Sequence, residues 1–428
     1  MSLTDRLAAL TPEQRVLFEK LRDKQRQAAH AANTTRTTPP PPIRRVSGPT
    51  GEGDWPLSLD QERYWFMEQL YPEGAGLNIT AATRMRGELL PAAVAAGFSE
   101  IARRHAAWRT TFPAVDGKPV QRVLSASARG PQRLPMIDLS ALPAARREPE
   151  AFRLVNVETA TPFDLEAGPL VRSMLVRLND DFAAGDHVCI LTIHHMVTDW
   201  ISFQIAWGEL AVLYGAFATG RSATWAVIPE PPVQYPDFAV WQRNWLQGEV
   251  LDGLTSWWRE RLAGFPVTLE LPTDRPRPSA PRMRGGSLPI ALSAVLTAGL
   301  RRLAQREGAT PFMVVLAATA ALFSRDSGQE RLILGANNAN RNRPEIESVL
   351  GCFLTQVPFA IDLEADPTFR ELLARVRQSA LGAYAHQDLP FGLLVQALGL
   401  ERDPSRQPLI QTLVQVLGGQ ASSEAGLG

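Results

Sequence analysis

The sequence predicts an α/β fold built as two halves of similar make-up. Short, β-branched apolar runs alternate with stretches of helical periodicity through the first half. The same alternation returns after a proline-rich crossing at residues 229–235. Strands mixed with helices in both halves point to two α/β layers. The 428 residues, 45% of them hydrophobic, hold enough apolar side chains for two cores.

Residues 1–35 read as a short helical extension. Leu3, Leu7 and Leu10 form an apolar stripe, and Thr11-Pro12-Glu13-Gln14 supplies an N-cap, a proline at the first helical position and a capping glutamine. So short a pair of helices buries little alone, which leaves a linker or a docking element for a neighbour. Residues 36–54 are rich in Pro, Thr and Gly and predict an extended linker.

The folded body is expected to begin near Trp55, its first half over residues 55–228 and its second over 229–428. Ser58 caps a helix that runs to Leu70, with a strand at residues 79–86 and a helix over 91–107. Strands at 108–112 and 120–124 flank an Asp116-Gly117 turn. A helix over 152–161 and a strand over 170–178 follow. In the second half the spacing predicts helices over 241–265, 294–307, 311–324, 369–387 and 391–398. Strands are expected at 287–292, 332–336, 352–361 and near 410–417.

The formal net charge is zero, so there is no basic excess to attract nucleic acid. Cys189 and Cys352 lie in apolar surroundings and read as buried thiols suited to a reducing cytoplasm. No signal peptide opens the chain and no uninterrupted apolar run is long enough to span a membrane, so no membrane partner is expected.

The densest chemistry lies at residues 188–200, VCILTIHHMVTDW. The apolar run reads as a buried strand, and the helical pattern resumes at Asp199, with Thr198 or Asp199 as N-cap. His194 and His195 therefore sit at a strand end. Adjacent strand side chains face opposite ways, so one imidazole can face a cavity while the other packs inward. An imidazole there can serve as a base or a hydrogen-bonding partner. A wholly structural pair is the competing reading, and Asp199 can orient a ring or make an ion pair. Metal is not expected, because His194, His195 and Asp199 lack a third and fourth ligand nearby.

Several stretches together resemble the condensation domain of nonribosomal peptide synthetases, over roughly residues 55–417. PLSLDQERYWFMEQL (56–70) is similar to the family's opening motif, and RRHAAWRTTF (103–112) to its second. IHHMVTDW (193–200) resembles the HHxxxDG motif. YPDFAVWQR (235–243), GCFLTQVPF (351–359), AHQDLPFGLLV (385–395) and RDPSRQPLIQ (402–411) follow in the family's order.

The resemblance implies two chloramphenicol-acetyltransferase-like subdomains in a V-shaped pseudo-dimer with an active-site tunnel. Donor and acceptor carrier protein domains would dock on either side, carrying peptidyl or acyl groups on their own phosphopantetheine. No cofactor would be bound by this chain, and the neighbouring module could be nonribosomal or polyketide. The implied reaction is amide formation between a donor thioester and an acceptor amine. His195 would contact the attacking amine. His194 would be structural, and Asp199 would pair with Arg284, Arg341 or Arg343. Gln61 and Arg63 could be plain surface residues, whereas Arg109 and Trp241 read as fold-building.

Two positions depart from the pattern. Trp200 replaces the motif glycine, and could narrow the tunnel or turn into the core. Thr355 replaces the asparagine of FVNT, next to Gln356. All three are expected to touch substrate. Both histidines are kept, which argues against a heterocyclising relative. The alternative is a catalytically impaired, condensation-like domain that bridges modules or recruits a partner enzyme.

Overall fold

The computed structural model describes residues 40–70, 74–179, 181, 185–278, 285–400, 403 and 405–417. The expected helical extension over 1–35 lies outside the described residues, as does Arg284. The described chain divides into two compact units. The first comprises Pro41–Trp245 and Arg341–Phe353. The second comprises Leu246–Asn340 and Leu354–Gly418.

The first unit contains β1 (Gly53–Trp55), α1 (Leu59–Leu70), β2 (Asn78–Arg86), α2 (Pro91–Arg104) and β3 (Thr110–Thr111). The hairpin β4 (Ala114–Val115) and β5 (Lys118–Pro119) turns at Asp116-Gly117, both with positive φ, as an Asp-Gly hairpin turn demands. Next come β6 (Gln121–Val123), α3 (Ala126–Arg129), β7 (Met136–Asp138), α4 (Ala144–Ala160), β8 (Val171–Arg177) and β9 (Asp186–His194). Helices α5 (Trp200–Ala218) and α6 (Tyr235–Trp245) complete the unit.

Its main sheet has the order β2-β9-β8-β7. Strand β9 pairs antiparallel with both β2 and β8, and every residue after Asp186 is buried. That central place follows from its continuous apolar run, which tolerates burial on both faces. Helices α2 and α5 pack together, and Phe98, Trp108, Leu191, Phe203 and Leu210 lie in one core. Helix α5 is long and apolar enough by length and composition alone to cross a membrane, although Glu209 interrupts its apolar run. Its Phe203, Ala206, Leu213 and Ala216 are instead buried in this core. Its Glu209 pairs with Arg104 at 3.0 Å and lies 3.2 Å from His105 Nε2.

The second unit contains α7 (Gly248–Leu262), α8 (Ala294–Arg306), α9 (Pro311–Ser327), β10 (Arg331–Asn338), β11 (Thr355–Asp362), α10 (Phe369–Ala385) and α11 (Phe391–Ala397). β10 and β11 pair antiparallel, and α10 packs on β11. Thr310 and Thr368 cap α9 and α10 through their hydroxyls.

Several expectations need correction. The boundary at 228/229 moves to the break between α6 and α7. Tyr235 and Phe238 of α6 join the core of the first unit, and the proline-rich crossing is held there by Arg104, which donates to Ile228 O and Pro229 O. The described part of the 36–54 linker is packed rather than free. Ile43 is 4% exposed, and Asp237 accepts the Val46 and Ser47 N–H groups. The single helix expected over 241–265 is two helices, α6 and α7. Of the strand expected over 108–112 only Thr110–Thr111 forms, because residues 106–109 make a 3-10 turn. Residues 287–292 have no regular secondary structure and pair with no described strand, and Leu288 and Ile290 are 84% and 79% exposed. Near 410–417 there is one parallel bridge, Gly335 to Leu413, rather than a strand.

Candidate active site

Strand β9 ends at His194 because the backbone leaves the ladder there. His194 N–H still donates to Leu170 O at 3.0 Å, whereas His195 N–H donates to Leu77 O at 2.8 Å and opens a 3-10 turn, His195–Val197. The two imidazoles part at this point. His194 is 1% exposed, its Nδ1 accepts Met196 N–H at 3.3 Å, and its ring meets Phe163 edge-on. His194 Nε2 lies 3.4 Å from Glu68 Oε1, out of line for a hydrogen bond. His195 is half-buried, and Tyr64 of α1 stacks on it with ring centroids 5.0 Å apart.

Burial holds the His195 imidazole below its usual pKa, partly offset by a hydrogen bond to its own carbonyl and by the Asp199 carboxylate. Only Nδ1 can reach the carbonyl of its own residue, and the tautomer that donates to it, assigned on this contact, puts the hydrogen on Nδ1 and leaves the lone pair on Nε2. Cys352 Sγ also lies 3.5 Å from Nδ1. Burial pushes this thiol well above its usual range, which keeps it protonated. Nε2 has no hydrogen-bond partner among the described residues. The arrangement presents a neutral imidazole with a free basic nitrogen.

Asp199 is 1% exposed and caps α5, Oδ1 accepting Ser202 N–H at 2.7 Å and the Ser202 hydroxyl at 2.8 Å. Arg341 Nη2 reaches Oδ1 at 3.1 Å and Oδ2 at 3.2 Å. Of the three arginine candidates, then, Arg341 meets Asp199. Arg343 instead lies over Trp241 at 4.3 Å. Oδ2 also accepts Phe353 N–H at 3.1 Å. Asp199 thus has a cap, an ion pair and a backbone donor to hold, and no contact with an imidazole.

Trp200, the first residue of α5, is 51% exposed, so its indole does not turn into the core. Thr355 and Gln356 open β11 in the second unit, paired in register with Asn338 and Asn337. Thr355 is 1% exposed, its hydroxyl has no partner among the described residues, and Gln356 is half-buried. Among the described residues, no group of three or more His, Cys, Asp or Glu is placed to hold a metal ion.

Sequence reasoning missed what α1 contributes. Gln61 is 1% exposed rather than on the surface, and its Nε2 donates to Met196 O at 2.9 Å, fixing the turn after His195. Ser58 and Gln61 form a reciprocal cap that was readable from their spacing. Asp60 is 3% exposed, and burial pushes its carboxyl up to about 6 against a smaller opposing effect of Arg63. Arg109 is 2% exposed and donates to Ala102 O and Leu124 O, a purely architectural role.

This fold and histidine loop define a class. The condensation domain family matches residues 51–426, and the chain belongs to that family. It is similar to a linear gramicidin synthase of Brevibacillus parabrevis, 45% identical over 85% of this chain and 7% of that protein. It is also similar to phosphinothricin tripeptide synthetase PhsC of Streptomyces viridochromogenes, 40% identical over 99% of this chain and 37% of that protein. The chain therefore spans well under half of these relatives. Among solved structures it resembles the X-domain from teicoplanin biosynthesis, with a TM-score of 0.76 and 30% identity, covering 87% of this chain and 79% of that one. The first condensation domain of the calcium-dependent antibiotic synthetase shares the fold at a TM-score of 0.65 and 22% identity, over 81% and 79% of the two chains. These likenesses bear out the α/β, acetyltransferase-like fold class expected from the motifs.

Proposed function

We propose that this domain forms an amide bond between a donor acyl or peptidyl thioester on one carrier protein and the amine of an aminoacyl thioester on another. The observation that carries the reading is His195, a neutral imidazole with Nδ1 engaged and Nε2 free. The acceptor nitrogen attacks the thioester carbonyl, its proton passes to Nε2, and the C–S bond breaks as the C–N bond forms. The proton then leaves with the donor pantetheine thiol. General-base help of this kind is worth about 10²–10⁴-fold, and holding two tethered reactants together can contribute more. Asp199 and His194 act through structure alone. Trp200, exposed three positions beyond the turn, is assigned to substrate contact. For Thr355 and Gln356 the same assignment rests on the motif only. Phosphopantetheine enters as part of the substrates, and the carrier proteins are the partners.

A second reading has its own support. The X-domain of teicoplanin biosynthesis is also known in complex with OxyB, so a domain of this build can serve to recruit a partner enzyme. Intact-mass analysis separates the two. An acyl-loaded donor carrier and an aminoacyl-loaded acceptor carrier are mixed with the domain. Gain of the acyl mass by the acceptor supports transfer. No transfer across a broad donor panel, even after Trp200→Gly, favours the recruiting role.

A further inference from the structure

The segment Gly351-Cys352-Phe353 is clamped residue by residue. Gly351 N–H donates to Ser202 Oγ at 3.1 Å, Cys352 O accepts the Tyr235 hydroxyl at 2.7 Å, and Phe353 N–H donates to Asp199 Oδ2 at 3.1 Å. Gly351 also admits no side chain, since a Cβ would stand 1.9 Å from Tyr235 Cδ2. Surface loops are not usually held in this way. What the clamp delivers is the Cys352 thiol, 1% exposed and 3.5 Å from His195 Nδ1.

We infer that Cys352 is a positioning residue for His195, its sulfur sharing the Nδ1 hydrogen so that the ring is held with Nε2 toward the reacting amine. The role of Asp199 follows. It never touches the imidazole, yet through Phe353 N–H it sets the place of the sulfur that does. The inference rests on the transfer reading for its catalytic meaning, but the coupling itself does not. Sulfur accepts weakly from N–H, and the buried thiol is uncharged, so it favours the protonated ring only slightly.

The test is an NMR titration of His195 in the wild type, Cys352→Ala and Cys352→Ser, with transfer rates measured in parallel. Loss of an acceptor from Nδ1–H makes the imidazolium less favourable. Cys352→Ala is therefore expected to lower the His195 pKa by about 0.5 unit and move the acid limb of kcat/KM down equally. Its kcat should fall roughly tenfold with little change in KM. Cys352→Ser, which restores a donor-acceptor atom, should recover most of the rate and return the pKa to or above the wild-type value. Equal behaviour of Ala and Ser, with the His195 titration unmoved in both, overturns the inference. The titration reads the coupling without turnover. An inactive wild type with a shifted His195 titration in Cys352→Ala therefore sinks the transfer reading and leaves the coupling standing.

Discussion

Asp199 and Phe353 are joined by a hydrogen bond from the Phe353 N–H to Oδ2 at 3.1 Å, across 154 positions of sequence. The same carboxylate caps α5 and neutralises Arg341, whose side chain is 6% exposed. Removing one partner of such a pair leaves a buried charge uncompensated. Asp199→Ala is expected to cost about 3–5 kcal/mol in urea unfolding, and Arg341→Ala a similar amount. The double variant should cost less than the sum, because the second change removes the orphan left by the first.

Gly351 packs its bare Cα against the Tyr235 ring. Gly351→Ala forces a methyl into that ring and is expected to cost about 3 kcal/mol. Tyr235→Leu, which removes the ring, should recover part of that loss when combined with it. Additive midpoints in the pair of variants contradict the clash.

Asp60 gives a pH signature of stability. Its folded pKa is raised from 3.8 to about 6 by burial, so the native state holds this proton more tightly than the unfolded chain. The group's cost to stability is absent below about pH 4, grows as pH rises to about 6, and is constant above. Asp60→Asn removes that cost. It should be more stable than the wild type by about 3 kcal/mol at pH 8 and close to it at pH 4. A difference independent of pH contradicts the assignment.

Transfer should follow His195. Because burial holds its pKa below the usual 6.5, the imidazole is neutral at pH 7. The rate is then expected to be flat from pH 6.5 upward on this group's account and to fall only on the acid side. A limb above pH 7 that vanishes in His195→Gln would contradict a lowered pKa.

The local parts of this architecture were legible in the sequence. Ser58 as the cap of α1, the apolar run before His194 and the Asp-Gly turn each encode structure within a few residues. What the sequence hid was set by distant partners. Which arginine meets Asp199 depends on the chain path that brings Arg341 back into the first unit. Gln61 looked like a surface residue because nothing local marks Met196 O as its acceptor. Residues 287–292 alternate like a strand, yet a strand exists only with a neighbour to pair with. The unit boundary was misread because prolines at 229–236 mark a turn in the path, while Tyr235 and Phe238 still belong to the first core.

The most direct measurement is single-turnover transfer between loaded carrier proteins, comparing the wild type with His195→Ala at pH 7.5, with thermal unfolding of both as the control for folding. The account expects transfer by the wild type and a loss of about 10²–10⁴-fold in the variant, with its unfolding midpoint little changed. A variant that transfers at the wild-type rate contradicts the proposal that His195 takes the proton from the attacking amine.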